Sequence, residues 1–312
     1  MVGYTGSAGT HLPIKFDDIN LVPLSLATRG PDGQYQFPLT GAPVKTNPAF
    51  GRIGAILWGG HSSYNALVVD LTKHFSHNMT FQAVYRWSRS IDNGDQTLAQ
   101  NHNSNSVTNP YPLDMSLNRG PSDYDIPQNL ILNYVWVVPT PESWNRAEKM
   151  VFSRWQLGGI FEYQSGSPFS VTVPNDQART GTTNVGGQTP SGQRPNVVAG
   201  CSQTTGDPGH YINLSCYTFP ALGTIGNLGR NTLRVPNIVN YDFSLAKNIS
   251  FGERLNAQLR AEAFNLFNHP SFQPATTPVF TSTGQLVQNS AQLNPPTVTS
   301  ARQLQLGIRL TF

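Results

Sequence analysis

Few residues in this chain have the types and spacing that chemistry requires, and each candidate has a plainer interpretation. His74 and His77 flank a short turn and could share a metal ion, although a solvated turn also explains them. Residues 92–95, "DNGD", are as rich in oxygen as a calcium loop but lack its spaced ligands and closing Glu. The Gly-rich segment 226–231 does not join a strand to a helix, as a phosphate loop does. The sequence therefore predicts no cofactor and no metal.

Catalytic motifs are missing as well. The sequence contains none of the short motifs typical of serine hydrolases, zinc proteases, dithiol redox proteins or P-loop proteins. We therefore predict that the chain is not an enzyme. Its two cysteines, Cys201 and Cys216, lie in one polar segment. They could form a loop disulfide in an oxidising compartment, and a pair of free thiols is the alternative.

Composition narrows the class of protein. Only 12% of the 312 residues are charged, and 28 Gly and 24 Pro are present. A mean hydropathy of −0.31 argues against a large apolar core. No apolar run approaches the roughly 18 residues of a membrane helix, and no signal peptide opens the chain. The net charge of +3 comes from scattered Lys and Arg, so no basic stripe indicates a nucleic-acid partner.

The strongest pattern is an alternation of apolar and polar residues, which is typical of strands with two different faces. One exception is Lys247, which falls on an apolar face. Between these segments no convincing helix of 10 or more residues appears, so the chain is predicted to be all-β. The alternation covers seven segments: residues 65–75, 79–91, 128–138, 154–164, 240–249, 255–264 and 301–312.

The connections between these segments are alternately short and long. Residues 76–78 and 139–150 are short connections, whereas residues 92–125 and 165–236 are long ones. Long structureless loops count against a compact soluble domain. They are expected in an outer-membrane barrel, whose periplasmic turns are short and whose extracellular loops are long. We therefore predict an antiparallel transmembrane β-barrel, with a soluble sandwich as the alternative.

Aromatic residues on the apolar faces support the membrane interpretation. If the short turns are periplasmic, Trp87 and Tyr163 lie near the outer interface and Trp136 and Trp155 near the inner one. Such girdles flank an apolar band about 25 Å tall that contacts outer-membrane lipid. A soluble sandwich would not explain why Trp and Tyr gather at opposite ends of one face. The predicted girdle residues are Tyr85, Trp87, Trp136, Trp155, Tyr163 and Tyr241.

The opposite, polar face is predicted to line the barrel lumen. It would be either a wall of mutually satisfied polar groups or a contact surface for a plug. The ionisable residues predicted to face the lumen are Asp70, Arg86, Glu162, Arg260, Glu262 and Arg309.

The last segment ends the chain on an aromatic residue. This arrangement resembles the C-terminal signal that barrel-assembly machinery recognises in outer-membrane proteins. We predict that the face formed by Leu304, Leu306, Ile308, Leu310 and Phe312 serves assembly and does not bind a ligand.

Several longer segments resemble the Oar-like TonB-dependent transporters of acidobacteria and related groups. They are "GYTGSAGTHLP", "SSYNALVVDLTKHFSHNMTFQAVYRWSRSIDN", "NLGRNTLRVPNIVNYDFSLAKNISFGERLNAQLRAEAFNLFNHPSFQ" and "RQLQLGIRLTF". The similarity covers most of the chain outside the loops, and "RAEAFNLFNHPSF" is its most specific part. The resemblance implies the barrel part of an outer-membrane receptor that imports a scarce or bulky ligand. It also implies that TonB acts only through an N-terminal plug.

The chain also departs from that family. Residues 1–312 show no signal peptide, no carboxypeptidase-regulatory-like domain and no plug. Residues 1–4 are interpreted as the last residues of a strand, too short to count as an eighth strand. We therefore expect a C-terminal barrel segment of about seven or eight strands. The alternative is a small autonomous outer-membrane barrel or adhesin that binds through its long loops.

Overall fold

The computed structural model describes residues 1–76, 78–94, 109–182, 192–251, 255–273, 278–293, 297 and 299–312. Eight long strands form one antiparallel sheet in which each strand pairs with its neighbours in chain order. They are β1 (Val2–Phe16), β2 (Ala55–Ser76), β3 (Met79–Asp92), β4 (Gln128–Val137), β5 (Trp155–Gln164), β6 (Ile238–Phe251), β7 (Leu255–Phe264) and β8 (Gln303–Thr311).

The remaining elements are short. One α-helix, α1 (Arg146–Phe152), connects β4 to β5, and Gly120–Pro121 pairs with the end of β3. Three two-stranded ladders join Thr28–Arg29 to Tyr35–Gln36, Pro168–Phe169 to Leu233–Arg234, and Asn196–Val197 to Tyr217–Thr218. Single 3₁₀ turns occupy Leu24–Leu26, Met115–Asn118, Pro208–His210, Leu214–Cys216 and Gln288–Ala291. None of the described helices is long and apolar enough to span a membrane.

The all-β antiparallel prediction is confirmed, and the register explains why these segments form strands. Residues directly opposite each other share a face of the sheet. On β6 and β7, Leu245 lies opposite Ala261 and Ser244 lies opposite Glu262, so apolar residues meet apolar ones and polar residues meet polar ones. A slip of one residue would mix the two faces, so the alternation itself specifies the pairing.

The prediction for the start of the chain was wrong. Residues 1–4 do not close a strand; β1 continues to Phe16 and pairs with β2 along its length. Two register shifts between Gly9 and Ile14, with a left-handed φ of 53° at His11, break the alternation that sequence reasoning relies on. Gly60 lies opposite this bulge, where a Cβ atom would come within 2.7 Å of the Leu12 carbonyl oxygen.

The sheet has two open edges. Among the described residues, β1 pairs only with β2 and β8 pairs only with β7. The eight strands therefore form one meander in which the first and last strands do not pair with each other.

The antiparallel order places the connections at two ends. The long connections β1–β2, β3–β4, β5–β6 and β7–β8 leave from one end, which we call the loop end. The β2–β3 and β4–β5 connections leave from the other, the turn end, as does the β6–β7 connection, whose residues 252–254 lie outside the described residues. Large apolar side chains are buried mainly at the loop end, so the hydrophobic core lies in the connections and not on the sheet.

Candidate functional site

The four long connections fold together into one structure, which we call the loop body (the described residues of 17–54, 93–127, 165–237 and 265–302). One of its hydrophobic cores is built around Tyr111, whose hydroxyl donates to the Val22 carbonyl at 2.5 Å. Burial raises the pKa of this hydroxyl above its ordinary value. This core draws on the β1–β2, β3–β4 and β5–β6 connections, and its buried members are Leu21, Val22, Phe37, Tyr111, Ala178 and Ile225.

A second core joins the β5–β6 connection to the β7–β8 connection. Within it, the rings of Phe219 and Phe280 lie 5.3 Å apart, and Val171 and Val279 are fully or almost fully buried. Cys201 and Cys216 form a disulfide at its edge, with their Cα atoms 5.5 Å apart. Because the β5–β6 connection contributes to both cores, it holds the loop body together.

Two ion pairs attach the β5–β6 connection to the ends of the strands. Arg230 pairs with Asp92, the last residue of β3, and both side chains are only 5% exposed. Arg234 pairs with Asp125, which lies just before β4 and is 1% exposed. An ion pair this deeply buried depends on both partners, since removal of one leaves an uncompensated charge. These contacts fix the loop body on the sheet.

A third arginine, Arg194, lies inside the loop body. Its guanidinium donates to the carbonyl oxygens of Leu228 at 2.9 Å and Leu117 at 2.7 Å, and to Oδ1 of Asn118 at 3.0 Å. Burial, together with the nearby charge of Arg230, lowers the pKa of Arg194 to about 10. Its role is to cross-link two connections, since its hydrogen bonds are directed to protein groups.

Sequence reasoning missed these arginines. It considered residues 226–231 only as a phosphate loop, although Arg230 belongs to an ion pair instead. A usable signal was present, because charged residues are rare in this chain and Arg230 and Arg234 come close together in a Gly-rich and Pro-rich segment. Of residues 92–95, Asp92 ends β3 and Asp95 lies outside the described residues.

A cleft of about 570 Å³ opens where the loop body meets β1, β2 and β3. His61, Ser63 and Ile91 line its strand side, and Met115 and Arg119 line its loop side. The His61 ring lies 6.2 Å from the ring of His11. Such a mixture of cationic, hydroxyl and apolar groups can bind a ligand but contains no paired nucleophile and base. Among the described residues, no three His, Cys, Asp or Glu lie close enough to hold a metal ion, and His77 lies outside them.

A second groove, of about 370 Å³, lies between the β1–β2 and β5–β6 connections. Leu26, Leu39 and Leu222 line it and are about half exposed. Apolar side chains left accessible in a well-packed loop region are typical of a contact surface for a ligand or another protein.

The register gathers the predicted girdle residues on one face of the sheet, which we call the apolar face. Tyr85 lies opposite Leu130, Trp136 opposite Leu157, and Tyr163 also opposite Leu130. Alternation along β3, β5 and β6 brings Trp87, Trp155 and Tyr241 to the same face. Contact of this face with lipid stays a prediction.

The six ionisable residues predicted to face the lumen share the opposite, polar face. Asp70 accepts hydrogen bonds from Oγ1 of Thr72 at 2.7 Å and Nε2 of Gln82 at 3.3 Å. Arg260 lies 3.5 Å from Glu262. Nε of Arg86 is buried without a hydrogen-bond partner among the described residues. The face therefore carries local pairs of polar groups, and Glu162 and Arg309 lie on it as well.

The predicted assembly residues lie on the edge strand β8. Leu304, Leu306, Ile308 and Leu310 pair with β7 and are 58–85% exposed, and Phe312 follows the strand with 97% exposure. Their side chains thus extend the apolar face to the edge of the sheet. Their role in assembly stays a prediction.

Comparison with known proteins supports the membrane interpretation of this geometry. No curated protein and no solved structure matches the chain. A family model described as an outer membrane beta barrel domain matches residues 1–305. The chain therefore belongs to the outer membrane beta barrel domain family, and its place is the outer membrane.

Proposed function

We propose that this chain is the barrel part of an outer-membrane TonB-dependent receptor that imports a scarce or bulky ligand. The observation that carries the proposal is the open sheet. Unpaired backbone groups at an edge cannot be left in hydrocarbon, so β1 and β8 need further strands beside them. Barrels of about 22 strands with a plugged lumen are the outer-membrane transporters.

The loop body supplies the proposed ligand-binding surface. Its cores, disulfide and buried arginines make it a packed structure, and a surface held in one shape binds a ligand at a lower entropic cost. The two clefts offer polar and apolar contacts without a catalytic constellation. We propose that the protein binds and transfers its ligand unchanged, that TonB acts through a plug, and that no nucleic acid is involved.

The alternative function, an autonomous barrel or adhesin, requires a different pairing of the same strands. It requires β1 and β8 to pair with each other, since eight strands can close a small barrel. In the described residues these strands have one neighbour each.

The coding sequence upstream of Met1 in the genome distinguishes these functions. The receptor requires an in-frame plug and signal peptide there. A ribosome-binding site directly before Met1, with no preceding open frame, would contradict the receptor and support the autonomous barrel.

A further inference from the structure

Lys247 is a charged residue on the apolar face of the sheet. It lies opposite Trp155 in the β5–β6 register, at the turn end of the sheet. The side chain is nevertheless only 6% exposed. Its ammonium donates to the carbonyl oxygens of Val151, at 3.0 Å, and Ser153, and lies 5.2 Å from the centre of the Trp155 ring. The charge is therefore covered by the end of α1.

These contacts attach α1 to the apolar face. Nε1 of Trp155 donates to the same Val151 carbonyl at 2.9 Å, so two side chains of the sheet bind the C-terminal end of the helix. At the other end, Asn145 and Glu148 form a reciprocal capping box. A positive charge near a helix C-terminus also stabilises the helix, because it interacts favourably with the negative end of the helix dipole. A seven-residue helix, too short to be stable alone, is held in one place by these bonds.

The helix presents a mixed surface beside the apolar face. Met150, Val151 and Phe152 are 75%, 52% and 57% exposed, and Phe152 makes an edge contact with Trp144 at 6.1 Å. Basic side chains outnumber acidic ones here, and one of the two acids, Glu148, is occupied by the capping box. The ionisable residues around the helix are Arg146, Lys149, Arg154, Lys247, Glu142 and Glu148.

We propose that α1 is an interfacial helix that contacts anionic phospholipid at the turn side of the membrane. The C-terminal end of the helix is bonded to Trp155 and Lys247 at the turn end of the apolar face, so lipid that contacts this face also reaches the helix. Aromatic and aliphatic residues beside Lys and Arg are the composition of helices that lie in the headgroup region. The net positive charge selects an anionic surface. The inference rests on the proposed contact of the apolar face with lipid.

Depth-dependent fluorescence quenching tests this directly. The complete protein carrying Met150→Cys, labelled with an environment-sensitive fluorophore, is reconstituted in phosphatidylcholine vesicles with or without phosphatidylglycerol. The native cysteines are joined, so the new thiol is the labelling site. We expect a nitroxide near the lipid headgroup to quench the label more than one at the end of the acyl chain. Phosphatidylglycerol should increase this quenching, and Arg146→Glu with Lys149→Glu should abolish the increase.

A second label at Leu222→Cys, a position in the loop body that is 52% exposed, provides the control and should not be quenched by either lipid. Equal quenching at both positions, or none at position 150 in protein that migrates as a folded barrel, would overturn the proposal. The measurement needs no ligand or energy coupling, so transport can fail while the helix still contacts lipid.

Discussion

The sheet and the loop body use the same apolar residue types in opposite ways. On β8, Leu306 and Ile308 are 85% and 72% exposed, whereas Tyr111 and Val171 in the loop body are 0% and 1% exposed. The loop body excludes water from a core of its own, as any soluble domain does. The sheet has no such core, and its apolar face is predicted to contact lipid. The exposure of apolar side chains that would destabilise the loop body is therefore expected of the sheet.

The junction between the two regions is polar. Arg230 and Arg234 meet carboxylates at the loop end of the sheet, beside β3 and β4. A buried ion pair between elements that are distant in sequence fixes orientation, which nonspecific apolar packing does not do as well.

Breaking this junction should have the largest effect. Arg230→Ala leaves Asp92 buried without its partner, which should cost about 3–5 kcal/mol. We expect the loop body to become sensitive to protease while the sheet stays folded. Arg260→Ala serves as the control, since the Arg260–Glu262 pair is partly exposed and should contribute about 0–1 kcal/mol. Equal protease resistance of the two variants would show that the ion pair does not hold the loop body.

Introducing a charge on each face of β5 tests which face of the sheet contacts lipid. An Arg at a lipid-facing position near the middle of the membrane costs about 2–4 kcal/mol, and the same change facing the lumen costs little. Leu157→Arg should therefore prevent accumulation of folded, heat-modifiable barrel, and Gln156→Arg should be tolerated. Similar yields from these neighbouring substitutions would mean that the two faces are wrongly assigned.

Removal of the disulfide should affect the loop body alone. The bridge closes a segment with a sequence separation of 15, so Cys201→Ser with Cys216→Ser should cost up to about 3 kcal/mol of local stability. Hydrogen exchange should rise in residues 192–237 and stay unchanged in β4 and β5. A matching rise in both regions would indicate that they do not unfold separately.

Deletion of Phe312 should have the smallest effect on the folded protein. The residue is 97% exposed and follows the last strand, so little packing is lost. The expected result is a lower amount of barrel in the outer membrane at unchanged melting temperature. Unchanged amounts would sink the assembly role.

The sequence predicts the sheet better than it predicts the contacts of the loop body. The bounds of β7 were predicted to the residue because nine consecutive positions, 255–263, alternate without interruption. The alternation in β1 is hidden by Gly3, Gly6 and Gly9 and then broken by the bulge. No local pattern could pair Arg230 with Asp92, which are 138 positions apart. The sequence did mark Lys247 as an exception, but only the position of α1 explains it.

A spin-label scan along β5 measures the lipid contact of the two faces residue by residue. Each position from Trp155 to Gln164 is replaced in turn by Cys and labelled in the complete, reconstituted protein, and collisions with oxygen, which partitions into lipid, are recorded. We expect collisions to be frequent at odd-numbered positions such as 157 and 161 and rare at even-numbered positions such as 156 and 162. A flat profile, or frequent collisions at the even-numbered positions, would contradict a sheet whose apolar face lies against lipid.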